Sequence, residues 1–186
     1  MPVGVHNKHT IPKKLLWVDL EMTGLETVDR IIEVAAIVTD FEFKEFDQYE
    51  TAIQQDAAFV KQRFAASSFW SKLPVESEAI MASMQHGKSE DVVQDEVCAI
   101  IDKHFTADEG VFLAGNSIRA DRDFIDRWWP KVADKLHYRM LDVSSFKLWW
   151  LGSGHDPFVK QEKHRALEDI RESIAELQHY LGLIKN

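Results

Sequence analysis

The apolar run Leu15-Leu16-Trp17-Val18 leads directly into Asp19-Leu20-Glu21, and that junction constrains the fold more than any other stretch of the chain. So short an apolar run reads as a strand. Alternate strand residues face the same way, so Asp19 and Glu21 share one side of the strand end. Two carboxylates held close repel unless one takes up a proton or their charge is compensated. Magnesium or manganese compensates it through oxygen ligands, and two such ions about 3.5–4 Å apart can serve an in-line phosphoryl displacement. Asp121 and Asp142 fall near later strand-like runs, and His164 stands five residues before Asp169. An imidazole with an unperturbed pKa near 6.5 suits proton acceptance at neutral pH. Taken alone, the Asp-x-Glu pair also fits a strand that ends at a solvated edge.

The hydrophobic pattern places strands near 15–20, 31–39 and 45–53, the last two forming a meander whose turn lies near Phe41, Phe43 and Phe46. Short strands follow near 111–115 and 138–142. Helices are expected over 56–70, 75–85, 89–105, 119–129, 143–151 and 165–182. In the last helix Leu167, Ile170, Ile174, Leu177 and Leu181 recur at three- and four-residue steps and mark the core face, which leaves Asp169 off that stripe. The expected loops are Thr23 to Asp29 and Gly152 to Lys163. A length of 186 residues with 45% hydrophobic composition suits one domain, 15–186, behind a flexible tail, 1–14. No stretch approaches the ~18 apolar residues of a membrane span, and the lone Cys98 excludes an internal disulfide framework and suits a reducing, cytoplasmic setting.

Leu16-Trp17-Val18-Asp19-Leu20-Glu21-Met22-Thr23-Gly24-Leu25 resembles the first motif of the oligoribonucleases, in the DEDDh branch of the 3′-to-5′ exonucleases. The resemblance continues through Asp29-Arg30-Ile31-Ile32-Glu33-Val34-Ala35 and Gly115-Asn116-Ser117-Ile118, which leads to Asp121. It is completed by His137-Tyr138-Arg139-Met140-Leu141-Asp142-Val143-Ser144 and by His164 to Ser173. It implies an α/β architecture, the RNase H-like exonuclease fold, with a mixed β-sheet flanked by helices. It also implies that Asp19, Glu21, Asp121 and Asp169 hold two divalent ions (Mg2+ or Mn2+) and that His164 is the general base. Asp142 is read as structural, a cap for the helix beginning near Val143.

The same resemblance implies the substrate contacts. Leu25 would wedge against the bases, and Trp70 would stack on the terminal one. Beyond Trp70 the chain departs from the family: Ser71-Lys72-Leu73-Pro74 replaces a Thr-His-rich stretch, and the helix-breaking Pro74 falls where a pocket wall is expected. Tyr138, Arg139 and Ser144 match the segment that encloses the 5′ end of a dinucleotide, where Arg139 can donate paired hydrogen bonds to phosphate. The family treats the tyrosine as an active-site residue given across a homodimer interface; a buried strand tyrosine is the alternative. Trp128-Trp129 and Trp149-Trp150 offer aromatic surface for such an interface, or for the core.

The charge bears on the substrate. With 31 acidic against 22 basic residues the formal net charge is -9, which does not suit a grip on long polyanions. An acidic body fits a substrate with few phosphates, and the resemblance implies hydrolysis of short single-stranded RNA, above all dinucleotides, to 5′-mononucleotides. The alternative is a related DEDDh exonuclease that trims or proofreads longer RNA or DNA 3′ ends, for which basic tracts are expected.

Overall fold

The computed structural model describes residues 13–106, 109–159 and 166–184. Five strands form one sheet: β1 (Lys14–Met22), β2 (Ile31–Asp40), β3 (Glu45–Ala52), β4 (Val111–Gly115) and β5 (Leu136–Asp142), in the order β3-β2-β1-β4-β5. β1 pairs antiparallel with β2 and β2 with β3, whereas β4 lies parallel to β1 and β5 parallel to β4. The sheet is mixed, as expected. β1 begins at Lys14, the last residue of the expected tail, and residues 1–12 lie outside the described residues.

Strand parity sorts the core into two layers. Leu16, Val18 and Leu20 of β1 pack toward α3 (Glu90–His104) and α4 (Arg119–Trp128), through Val93, Val97, Ile101, Phe124 and Ile125. Leu15 and Trp17 pack toward α6 (Val143–Gly152) and α7 (Ala166–Ile184), through Val143, Ile170, Ile174 and Leu177. Trp17 is wholly buried, and its indole Nε1 donates to Thr39 Oγ1 at 2.9 Å, so the polar edge of the ring is satisfied inside the core. Continuing the odd parity past Trp17 puts Asp19 and Glu21 on the α7 side of the sheet. The expected stripe of α7 is observed: Ile170, Ile174 and Leu177 are buried, and Leu167 and Leu181 are packed against them.

A third cluster lies under α1 (Ala57–Ala66) and α2 (Pro74–Met84), where Val60, Phe64, Trp70, Ile80 and Met84 cover Ile32. Here the structure corrects the expected helix over 56–70. α1 starts at its Asp56 cap, whose carboxylate accepts from Phe59 N at 2.7 Å, but it ends at Ala66. Ser67 Oγ then accepts from the backbone N–H groups of Phe69 and Trp70, both at 3.2 Å, which offers the chain a local alternative to another helical turn. A single 3₁₀ turn, Trp70–Lys72, leads into α2. Pro74 breaks no helix; it occupies the first turn of α2, where its missing N–H costs nothing. The short α5 (Pro130–Ala133) was not expected.

Candidate active site

Asp19 and Glu21 from β1 meet Asp169 from the first turn of α7, with one carboxylate oxygen from each lying within 4.8 Å of the others. Strand parity brings the first two to this face, and the apolar stripe of α7 docks the helix so that Asp169 falls beside them. Asp121 reaches the same strand end from the first turn of α4, where its Oδ1 accepts from the backbone N–H of Leu20 at 2.9 Å. It thus lies against the peptide between the two β1 acids rather than within the group of three. Gly115, which ends β4 and leads toward α4, has no room for a side chain: a Cβ there would lie 2.8 Å from Ile118 Cδ1 and 3.0 Å from the Val18 carbonyl oxygen. That close approach allows the second motif to turn over the end of β1.

The electrostatics are those of a site built for positive charge. Glu21 is pushed up to about 8 by burial, then by the charges of Glu33, Asp169 and Asp121. Glu33 is buried directly across the antiparallel pair from Glu21, a neighbour set by strand register that was not singled out in the sequence. Asp121 is raised to about 7, chiefly by burial and further by Asp142, against the lowering effect of its backbone hydrogen bonds. Hard oxygen donors that resist ionisation together fit a divalent cation, whose charge would allow all of them to ionise.

Asp142 is the helix cap it was expected to be. Its Oδ1 accepts from Ser144 N at 2.9 Å and Ser144 Oγ at 2.6 Å at the start of α6, and from Ser117 N at 2.9 Å. Ser117 adopts a positive φ of 55°, so the carboxylate steadies a strained turn as well. Tyr138 and Arg139 are exposed on β5, an edge strand, with the guanidinium 5.3 Å from the centre of the phenol ring. The alternative of a buried strand tyrosine is not what is observed, since Tyr138 is exposed. His164 lies outside the described residues, as do its neighbours from 160 to 165.

A cavity of about 550 Å3 adjoins Glu21 and is lined by Leu25, Arg63, Phe69 and Trp70 among others. The loop that lines it is held by a network on Asp29, whose carboxylate is wholly buried. Asp29 accepts from Thr23 Oγ1 at 2.6 Å, from Glu26 N at 2.7 Å and from Arg63 Nε and Nη2 at 2.7 and 2.9 Å. Those partners hold its carboxyl below the usual aspartate range in spite of burial. Gly24 belongs to this arrangement, because a Cβ there would lie 2.6 Å from Asp29 Oδ2. Trp70 is only 4% exposed, its ring stacked on Phe64 at 4.5 Å and its Nε1 bonded to the Met22 carbonyl at 2.9 Å. The residue expected to offer a stacking face therefore lines the cavity as a largely buried ring. Asp29, Arg63 and Glu33 were missed; Asp29 and Glu33 stood inside a recognised motif, but only folded contacts reveal their roles.

The family model for exonucleases of the RNase T type matches residues 16–177. Oligoribonucleases align along nearly the whole chain. That of Shewanella loihica is 43% identical over 89% of this chain and 92% of its own length. That of Francisella tularensis subsp. novicida is 37% identical over 89% and 93%, and that of Mycobacterium avium 39% over 90% and 79%. Among solved structures, Escherichia coli exonuclease I in a zinc-bound complex with single-stranded DNA superposes with a TM-score of 0.57 at 12% identity, covering 90% of this chain. Exonuclease I from Methylocaldum szegediense gives 0.56 at 15% identity, also over 90% of this chain. The chain spans only 40% of either of these longer proteins, and the likeness establishes the RNase H-like exonuclease fold. With the acidic group at the end of β1 and matches of this extent, the chain belongs to the oligoribonuclease family of DEDDh exonucleases.

Proposed function

We propose that the protein is a 3′-to-5′ exoribonuclease that hydrolyses short single-stranded oligoribonucleotides, dinucleotides above all, to 5′-mononucleotides. The observation that carries this reading is the convergence of Asp19, Glu21 and Asp169 within 4.8 Å, in a chain of this family. Asp19, Glu21, Asp121 and Asp169 would hold two divalent ions, Mg2+ or Mn2+. When bound, such ions supply charge compensation and Lewis acidity for an in-line displacement at phosphorus. His164 accepts the proton of the attacking water, and its place five residues before Asp169 supports that role. Glu21 and Asp121 resist ionisation without a compensating charge, so ion binding is expected to be coupled to loss of their protons.

Arg139, exposed beside Tyr138, is free of any structural burial that would keep its guanidinium from a terminal phosphate. Ser144 stands at the start of α6, where Asp142 accepts from both its N–H and its hydroxyl and holds it in place. A homodimer is supported by α6, which follows the edge strand carrying Tyr138 and exposes Leu148, Trp149 and Leu151. Of the four tryptophans considered for an interface, Trp129 and Trp150 are buried, Trp128 is half-buried, and Trp149 is 59% exposed. No described helix is long and apolar enough to cross a membrane. The unpaired Cys98 supports a cytoplasmic setting, and a shared sheet supports a single domain over 15–186.

The test is cleavage of 5′-labelled RNAs of two, three, five and seven nucleotides with Mg2+ or Mn2+ under single-turnover conditions. The dinucleotide is expected to react fastest. Equal rates at all lengths would make the protein a general trimmer of short RNA, and no cleavage with either metal would overturn the reading.

A further inference from the structure

The parallel pairing of β5 with β4 is interrupted at one place. Val111 stands opposite Leu136 and Leu113 opposite Met140, so β4 passes one residue, Phe112, while β5 passes three, His137, Tyr138 and Arg139. Burial along β5 shows the same break. Leu136 and His137 are both buried and Tyr138 and Arg139 both exposed, where a regular strand sends neighbours to opposite faces. A bulge of this kind takes backbone groups out of the ladder and re-aims side chains. Two such groups are taken up by side chains here. The N–H of Arg139 donates to Nδ1 of His137 at 3.1 Å, and the carbonyl of His137 accepts from Nη1 of Arg122 at 3.0 Å. Arg122 is held in turn by Asp126 Oδ1, to which its Nε donates at 2.7 Å. The imidazole is 1% exposed and lies against the rings of Phe112 and Tyr138, with centroids 4.4 and 4.5 Å away. Gly110 leaves it room, since a Cβ there would lie 3.1 Å from His137 Cδ2.

We infer that His137 and Arg122 are positioning residues, which fold the bulge of β5 so that Tyr138 and Arg139 stand out together from the edge of the sheet. The inference rests on the exonuclease reading above, in which Arg139 meets a terminal phosphate. In a regular strand these two neighbours would point to opposite faces, and one of them would leave the substrate. The parts of His137 have separate duties. Nδ1 fixes the backbone of Arg139, whereas the ring fills the space between Phe112 and Tyr138. Through Arg122 the bulge is also tied to α4, whose first turn carries Asp121, so the phosphate contact and the acidic group share one support.

The experiment measures kcat and KM on an RNA dinucleotide with a 5′-phosphate and on the same dinucleotide with a 5′-hydroxyl. It compares wild type with His137→Phe, which keeps a ring and loses the acceptor, His137→Asn, which keeps an acceptor and loses the ring, and Arg122→Met. His137→Phe and Arg122→Met are expected to raise KM for the phosphorylated dinucleotide about 10- to 150-fold, the range for loss of a charge-assisted hydrogen bond. Their kcat at saturation and their KM for the hydroxyl form should stay near wild type. His137→Asn should keep the preference for phosphate although its thermal midpoint falls, so that preference follows the acceptor and stability follows the ring. A preference unchanged in His137→Phe and Arg122→Met, an equal loss on both dinucleotides, or a wild type indifferent to the phosphate would each overturn the inference. Cleavage of the hydroxyl dinucleotide by wild type would still uphold the exonuclease reading in every one of those cases.

Discussion

Removing the carboxylate of Glu21 should stabilise the metal-free protein while destroying its activity. The folded chain holds this carboxyl near 8 against an ordinary value of 4.5, first because of burial and then because Glu33, Asp169 and Asp121 surround it with like charge. Between those two pH values the folded state keeps a proton that the unfolded chain gives up. Stability therefore falls as pH rises, by at most 1.36 kcal/mol per pH unit, and the whole penalty is present above pH 8. At pH 7 the penalty is on the order of 3 kcal/mol, a large fraction of the 5–15 kcal/mol typical of a domain. Glu21→Gln removes it, together with the repulsion felt by the neighbouring acids. The assay is urea unfolding in EDTA from pH 5 to pH 9 for both proteins. Wild type should lose roughly 3–4 kcal/mol relative to Glu21→Gln between pH 5 and pH 8. With Mn2+ at 100 times its Kd most of the difference at pH 7 should close, because ion binding adds about 2.7 kcal/mol to the protein that keeps the full site. Parallel pH profiles in EDTA would refute the claim that burial and like charge hold Glu21 protonated.

Other consequences can be measured independently. Asp19→Ala and His164→Ala should each abolish turnover with circular dichroism and thermal midpoint little changed; a normal rate in either purified variant would remove that residue from the site. Arg63→Ala leaves the Asp29 carboxylate wholly buried without its two-point partner, so urea unfolding should show a clear loss of stability near neutral pH. Asp29 is held below its ordinary value, so the stability it contributes is present above that value and is lost as pH falls through the folded one. Arg63→Ala should therefore flatten the acid limb of the stability curve. Thr39→Val strips the buried Trp17 indole of its acceptor and should cost about 1–3 kcal/mol with KM unchanged.

What could be read in the chain was whatever local period dictates. The alternation through Leu15, Trp17, Asp19 and Glu21 names the face of β1, and the stripe through Ile170, Ile174 and Leu177 names the face of α7 that Asp169 avoids. Asp142 was legible as a cap because capping is a contact with residues next in sequence. The end of α1 was not legible, since Ser67 competes with a helix only when its hydroxyl finds the right amides. Nor was the burial of Trp70 legible beside the exposed Phe69. Adjacent residues in an irregular bend have no period to say which faces out, and the choice is made by Phe64 and the Met22 carbonyl, which are brought there by the fold. Glu33 became a neighbour of Glu21 only through the register of β1 on β2.

The same logic explains how separate motifs act as one site. Asn116, in the turn after β4, donates through its side-chain amide to Glu176 at 2.7 Å, and Tyr180 donates its hydroxyl to the other oxygen of that carboxylate at 2.7 Å. Glu176 is wholly buried and lies seven residues after Asp169 on α7, so both point from one face of the helix. The next residue in the turn, Ser117, is held by Asp142, which also fixes Ser144 at the start of α6. One turn therefore carries two buried or half-buried carboxylate anchors: one sets the helix of Asp169, the other the segment of Ser144. The chain continues from that turn into α4 and Asp121, whose carboxylate is bound to the backbone of β1. A displacement of Asn116-Ser117 would shift Asp121, Asp169 and Ser144 together, because every link in this path is a short hydrogen bond with little room to yield. Neighbouring acids that repel one another can be kept in place without their cations only by such a frame, and the anchors Glu176 and Asp142 supply it from outside the acidic group itself.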